Sequence, residues 1–332
     1  MQYRRFGETD LTVSEIGFGG WAIGGPAMAG ATPIGWGSSD DRVAMDAVHT
    51  ALDQGINFFD TADFYGLGHS EKLLGRVLGN RDDALIATKV GHRLDPSGAI
   101  RLDYSPEWII EACEASLRRL QREQIDFYQL HSARLPHLES QECLAAMDTL
   151  QEQGKIRFWG LSLNTYAPDP EGKFMIDGEY GDGFQVVLNV INQLALPIIR
   201  RAGREDFGII ARMPLQFGLL TGKFTPETRF PESDHRRSRL PPDILERALA
   251  ALQPIWAMAD SYGCSPAEFC LSYVLSYPEV CTVIPGIRTP RQAVANSEGV
   301  VTIAPEDRDA VEHLFAERYR DLLEANRLAE QR

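Results

Sequence analysis

DDRVAMDAVHTALDQGINFFDTADFYG, residues 40–66, joins a helical pattern directly to a strand pattern. From Asp40 to Gly55 the apolar residues recur at helical spacing, opening at an aspartate suited to N-capping and closing at a glycine. NFFDTAD (57–63) then changes character: a short apolar run that turns polar at its end, as a buried strand does. A helix delivering the chain into such a strand is part of a repeated βαβ pattern.

The alternation continues outward in both directions. SEIGFGG (14–20) lies upstream, and ALIATKV (84–90), IDFYQLH (125–131), IRFWGLSL (156–163), FQVVLNV (184–190), GIIARM (208–213) and TVIPGI (282–287) follow downstream. Between them lie further helical patterns, among them SPEWIIEACEASLRRL (105–120) and SQECLAAMDTLQEQG (140–154), each opening near a serine. Eight strands with covering helices predict an α/β fold, a single (β/α)8 TIM barrel. An open doubly wound sheet would need fewer strands or a second domain. No linker divides the chain, so residues 1–332 are read as one domain, a length such barrels commonly reach.

Two segments fit the alternation poorly. NTYAPDPEGKFMIDGEYGDG (164–183) is rich in Pro, Gly and Asp, so its helix should be short or replaced by a loop. LQFGLLTGKFTPETRFPESDHRRSRLPP (215–242) reads as a long structureless loop at the C-terminal rim, which in a compact fold suggests function. The opening YRRFGETDLTVSEIG (3–17) reads as a hairpin able to plug the barrel floor. Residues 305–332 read as helix, with Leu314, Phe315, Leu322, Leu323 and Leu328 available to cover the barrel or a neighbour.

Composition limits the partners. Hydrophobic residues make up 44% and charged residues 24%, enough for a large core. With 33 basic and 47 acidic residues the net charge is −14, which repels nucleic acid and anionic membranes at long range. No apolar stretch approaches the roughly 20 residues a membrane helix needs, and no basic leader precedes an apolar run. The five cysteines, Cys113, Cys143, Cys264, Cys270 and Cys281, are odd in number and form no C-x-x-C pair, which fits a reducing cytoplasm. No metal-ligand cluster is visible: a Pro-containing loop separates His131 from His137.

Barrel chemistry belongs at the C-terminal strand ends. There the second run supplies Asp60 and Tyr65, the third Lys89 and the fourth His131. These types suit carbonyl reduction. Hydride addition leaves an alkoxide that needs a proton, and a phenol gives one up readily only when its anion is stabilised. Lys89 beside Tyr65 would lower the phenol pKa, Asp60 would orient the ammonium, and His131 would donate a hydrogen bond to the carbonyl oxygen. Individually, each has an ordinary structural alternative as a rim, packing or capping residue; their convergence on three successive strand ends favours catalysis.

At these residues the sequence resembles the aldo-keto reductase superfamily, from Arg5 to Ile303. INFFDTADFYGLGHSE, IATKV, IDFYQLH, GKIRFWGLS and ARMPLQFGLLTGKF carry the resemblance in order and spacing. It implies Asp60, Tyr65, Lys89 and His131 as a catalytic tetrad and a nicotinamide cofactor bound without a Rossmann domain. Two look-alikes are set aside. Gly17-Phe18-Gly19-Gly20-Trp21-Ala22 has the form of a dinucleotide fingerprint, but Gly24, Gly25 and Pro26 stand where a helix must begin. Gly218 to Phe224 approaches a P-loop but is one residue short and lacks the hydroxyl residue for magnesium.

By position, the resemblance implies that Gly20 and Trp21 meet the nicotinamide and substrate, and that Ser162 and Gln185 hold the carboxamide. Arg212 replaces the usual stacking aromatic, with Met213, Pro214, Leu215 and Gly218 following in the cofactor loop. Lys223, Arg229, Gly286, Arg288, Gln292 and Asn296 are assigned to the phosphates. In IPGIRTPRQAVAN (284–296) a glycine bend, a helix start at Thr289 and two arginines suit an anion on their own chemistry. Arg288 favours NADP(H), whose 2′-phosphate needs a cation. Trp21, Tyr65, His131, Phe64, His92 and Tyr128, with Trp36, are candidates to line the substrate mouth.

The function implied is NADPH-dependent reduction of a small carbonyl compound. An aldose (sugar lactol) dehydrogenase using NAD(P)+ is the alternative within the same chemistry. The resemblance also embraces potassium-channel β subunits, cofactor-binding partner proteins. Oligomeric state is left open, a homo-oligomer included.

Overall fold

The structure, a computed structural model, describes residues 1–330 except Ser38 and Ser233; Gln331 and Arg332, assigned above to the last helix, lie outside the described residues. Eight parallel strands form the central sheet: β1 Phe18–Gly19, β2 Phe58–Asp60, β3 Leu85–Val90, β4 Ile125–His131, β5 Ile156–Ser162, β6 Gly183–Val187, β7 Gly208–Arg212 and β8 Thr282–Ile284. Each pairs with its successor. Parallel bridges Ile16–Val283 and Gly19–Gly286 bring β1 back to β8, closing the barrel. At this seam the Gly17 N–H donates to Val283 O at 2.8 Å and the Gly19 N–H to Pro285 O at 3.0 Å. All eight expected runs contain a strand of the barrel.

After each strand a helix covers the barrel: α1 Asp41–Asp53, α2 His69–Leu78, α3 Pro106–Leu120, α4 Glu142–Glu152, α5 Asp169–Asp177, α6 Leu196–Arg204, α7 Pro266–Leu275 and α8 Pro290–Glu298, with further helices after β4, β7 and α8. The Asp40 carboxylate accepts from the N–H groups of Arg42 and Val43, and Gly55 and Gly154 turn the chain out of α1 and α4 at φ +83° and +70°. The serines differ from expectation. Ser105 precedes α3 without a side-chain capping bond, and Gln141, not Ser140, immediately precedes α4.

After β7 the chain is more ordered than its composition suggests. A 3-10 turn, Gln216–Thr221, leads into an irregular stretch, then a short helix Arg236–Arg239 and two longer ones, Pro242–Ala251 and Gln253–Ser261. The Pro-Pro pair that reads as loop starts a helix, because proline at the first helical position gives up an N–H that has no helical partner. The tail forms Pro305–Leu314, a π-helical turn Phe315–Tyr319, and Arg320–Glu330. Phe315, Leu322 and Leu323 are buried, whereas Leu328 is exposed. The tail packs on the helices of the long loop. No helix among the described residues is long and apolar enough to cross a membrane, and all five cysteines are free.

The N-terminal hairpin, Tyr3–Arg5 against Thr12–Ser14, closes the barrel floor. Its Phe6, Leu11 and Val13 enter a core with Phe58, Ala87, Phe127 and Ile210 from the strands. Two strand glycines, Gly208 and Gly183, make room for this plug, and Gly160 makes room for the neighbouring Phe127. A Cβ on Gly208 would lie 2.5 Å from the Phe6 ring, one on Gly183 2.9 Å from it, and one on Gly160 2.7 Å from Phe127. Phe6 stands edge-on to Phe127 at 4.9 Å and has no solvent exposure. Because those glycines cannot fill the vacated space, Phe6→Ala is expected to cost about 3–5 kcal/mol, measured by urea unfolding. A loss below about 1 kcal/mol would mean that the floor collapses around the cavity.

Candidate active site

Above the aromatic floor the barrel interior turns polar. Asp60 is the last residue of β2, Lys89 the penultimate residue of β3 and His131 the last of β4. Tyr65 stands in the turn before α2. That turn needs Gly66 at φ +60°, where a Cβ would meet Gly24 O at 1.9 Å. Loop and barrel are tied there: Thr61 Oγ1 donates to Ser70 Oγ and Ser70 Oγ to Gly20 O, both at 2.8 Å.

Lys89 is the centre of the group. Its fully buried ammonium donates to Asp60 Oδ1 at 2.6 Å, to Thr61 O at 2.7 Å and to Tyr65 Oη at 3.3 Å. Asp60 Oδ2 accepts from Gln185 Nε2 at 2.7 Å and Gln129 Nε2 at 3.3 Å. Burial opposes the charge on Lys89, but Asp60 and Tyr65 outweigh it and hold the ammonium above its ordinary pKa. Tyr65 departs from the sequence expectation. Lys89 does pull its pKa down, yet burial is the larger effect, so the phenol sits above its ordinary value and stays protonated at neutral pH.

His131 stands edge-on to Tyr65 with ring centroids 6.0 Å apart, and its backbone carbonyl accepts from Tyr104 Oη at 2.6 Å. Burial keeps the imidazole well below its ordinary pKa, hence neutral, and its Nδ1 is buried with no partner. His92 lies 4.4 Å from it, itself lowered to about 4 by burial, and Phe64 lies 5.5 Å from His92. Trp21 stacks toward Tyr65 at 6.0 Å and meets Trp36 at 5.6 Å. Tyr128 is the exception. Side chains alternate along β4, and because Gln129 points into the barrel, Tyr128 points outward into the core between strands and helices, fully buried. It cannot line a substrate mouth.

The remaining assigned residues divide by location. Ser162 and Gln185 are in register on β5 and β6, and Ser162 pairs with His131 on β4. Arg212 ends β7 opposite Val187, and Met213, Pro214, Leu215 and Gly218 follow in the 3-10 region, with Met213 at φ +55° and Gly218 at φ +90°. Gly20 and Trp21 form the 3-10 turn after β1, where the dinucleotide look-alike would have needed an α-helix. Gly286 meets Gly19 at the seam. Arg288 and Gln292 line a cavity of about 350 Å3 with Ala22, Ile23 and Asp40. Its edge is the start of α8, where Thr289 Oγ1 accepts from the Gln292 N–H and Gln292 Oε1 from the Arg288 N–H. Asn296 is buried in α8. Lys223 and Arg229 are exposed, and Arg229 turns back on the carbonyls of Pro226 and Thr228. A wider basic recess, lined by Lys72, Arg76, Arg118 and Arg119, lies between α2 and α3, away from the strand ends.

Sequence reasoning missed Gln129 and His235. Gln129 was legible in principle, two residues before His131 on an alternating strand. His235 comes from the long loop, stacks on Trp21 at 4.7 Å and is buried with neither ring nitrogen partnered; no sequence pattern pointed to it.

A buried Lys–Asp pair reaching a protonated phenol, with a neutral imidazole across the rim, is an arrangement for delivering a proton to a developing oxyanion. A profile of the Aldo/keto reductase family matches residues 15–314. The chain belongs to this family of oxidoreductases. It is 31% identical to aldo-keto reductase YhdN of Bacillus subtilis over 315 residues, covering 90% of this chain and 88% of that protein. L-galactose dehydrogenase of Arabidopsis thaliana is 30% identical over 319 residues, covering 91% and 89%. Among solved structures, glycerol dehydrogenase AKR11B4 from Gluconobacter oxydans superposes with a TM-score of 0.78 at 32% identity, covering 95% of each chain.

Proposed function

We propose that this aldo-keto reductase reduces an aldehyde or ketone to an alcohol with NADPH, Tyr65 acting as general acid. The observation that carries this reading is the chain Asp60–Lys89–Tyr65 at the rim, with the phenol protonated. The buried polar atoms fit a nicotinamide. Ser162 Oγ and Gln185 Oε1 lie on adjacent strands without partners, and a carboxamide would satisfy both. The bound cofactor would supply the hydride.

The protein's own part is positional and electrostatic. His131 and Tyr65 face the carbonyl oxygen together, the neutral imidazole offering an N–H and the phenol its proton. As the proton leaves Tyr65, the nearby ammonium of Lys89 stabilises the phenolate. Asp60, held by two glutamine amides, keeps that ammonium in place. Trp21, Phe64 and His92 form the apolar flank of the mouth. We propose that the enzyme acts on a small molecule in the cytoplasm, a reducing compartment that suits its five free cysteines.

Following NADPH absorbance with 4-nitrobenzaldehyde and a panel of aldehydes, ketones and sugars tests the reading. NADPH consumption with at least one carbonyl compound is expected. Oxidation of a sugar lactol with NAD(P)+ is the second reading, favoured by the name of one relative, L-galactose dehydrogenase. It runs the same groups backwards and needs the phenolate as base, so it should require alkaline pH.

Arg288 is proposed to hold the 2′-phosphate, in the cavity at the start of α8. Charge-assisted hydrogen bonds contribute about 1.5–3 kcal/mol, so Arg288→Ala should weaken NADPH binding about tenfold or more and leave NADH nearly unchanged. Unchanged affinity for both cofactors in a binding titration would remove Arg288 from the site.

A further inference from the structure

Arg212 is a half-buried cation at the rim that makes no ion pair among the described residues. Its Nη2 donates to Leu163 O at 3.2 Å and Thr165 Oγ1 at 3.1 Å, its Nη1 points to Met213 Sδ at 3.2 Å, and its Nε is buried with no acceptor. Every one of these partners is neutral. Asp60 attracts the guanidinium electrostatically, but its oxygens already serve Lys89, Gln185 and Gln129. Lys89 and Arg212 therefore both face the rim, Arg239 adds a further positive charge beside Arg212, and the Asp60 carboxylate is committed to Lys89. Burial accordingly holds the Arg212 guanidinium below its ordinary pKa.

A half-buried charge with no carboxylate of its own is costly to folding, and a neutral side chain of similar length would accept the same position at less cost. Local packing thus gives no reason for the charge. Its place gives one. Arg212 ends β7 beside Val187 of β6, and its Nη2 reaches the carbonyl of Leu163, the residue after Ser162 on β5. The two unpartnered polar atoms assigned above to the carboxamide, Ser162 Oγ and Gln185 Oε1, stand on those same strands, β5 and β6. A ring whose carboxamide is held on β5 and β6 has the guanidinium as its neighbour on the next strand.

The two oxidation states of that ring differ by a full charge: the reduced dihydropyridine is neutral and electron-rich, and the oxidised pyridinium is cationic. A guanidinium plane is attracted to an electron-rich π-face and repelled by a cationic one. We propose that Arg212 selects the oxidation state of the cofactor, admitting the reduced form and weakening the hold on the oxidised form. The bias favours carbonyl reduction, since the reduced cofactor wins the site and the oxidised product is released. This inference rests on the nicotinamide-dependent reading above.

The test is a binding measurement without substrate. Full-length protein is titrated with NADPH and, separately, with NADP+, following quenching of tryptophan fluorescence, for wild type and for Arg212→Gln, Arg212→Tyr and Arg212→Lys. Both ligands carry the same phosphates and adenosine, so the ratio of their dissociation constants isolates the ring. In wild type NADP+ should bind at least about tenfold more weakly than NADPH; the ratio should fall about tenfold in the Gln and Tyr variants and survive in Lys. The Tyr variant fills the space with a ring, which keeps the test available if Gln disturbs folding. A ratio unchanged in Gln and Tyr, or equal binding of both forms by wild type, overturns the role of Arg212 and leaves the carbonyl-reductase reading standing. Wild type that binds neither form overturns both.

Discussion

Tyr65→Phe should lower kcat for carbonyl reduction by about 10²–10⁴-fold, the usual contribution of a positioned general acid. The substitution removes one oxygen from a residue whose ring also stacks toward Trp21 at 6.0 Å, so the wall of the mouth should persist. NADPH affinity, read by fluorescence titration, should therefore stay within about threefold of wild type, less than the 1.4 kcal/mol that a tenfold change represents. Loss of turnover with retained binding separates proton donation from cofactor capture. If the variant kept turnover within about tenfold of wild type, Tyr65 would not be the acid. The donor would then have to be sought at His131, which shares the rim.

Lys89→Met should cost more than activity. Removing one partner of a buried ion pair leaves the other charge stranded, and such losses run to about 3–5 kcal/mol. Here the stranded group is Asp60, whose other oxygen is already held by Gln185 and Gln129. Urea unfolding should show the loss, and turnover should fall with it because the phenolate loses its nearest cation. The double variant Asp60→Asn/Lys89→Met separates the two effects. With no charge left to strand, it should recover much of the stability while turnover stays low. A single variant as stable as wild type would mean that Asp60 takes up a proton in place of the ammonium.

Much of this was legible in the sequence because barrel strands are short apolar runs between amphipathic helices, and each of the eight runs held its strand. The polar residues closing three of those runs, Asp60, Lys89 and His131, converge because parallel strands present their C-terminal ends to one rim. Tyr128 was misplaced for a physical reason: being near His131 in sequence does not put it on the same face, and alternation along β4 sends it outward. The setting of Arg212 was not legible, since whether a carboxylate is free to pair with it is a property of packing across the barrel strands. The helices hidden after β7 have the same explanation. Their prolines signal a break in an isolated segment, but at a helix start they are accommodated.

The barrel seam joins Gly17 to Val283, and Arg4 reinforces it by donating to the carbonyls of Leu275, Tyr277 and Val280. These contacts connect parts of the chain that emerge from the ribosome far apart in time. The opening hairpin can form early, but its partners across the seam do not exist until β8 has been made. Closure must therefore be among the last events of synthesis, with β1 and its neighbours waiting as an open edge, and folding rate should respond to changes at the seam more than to changes within any single βα unit.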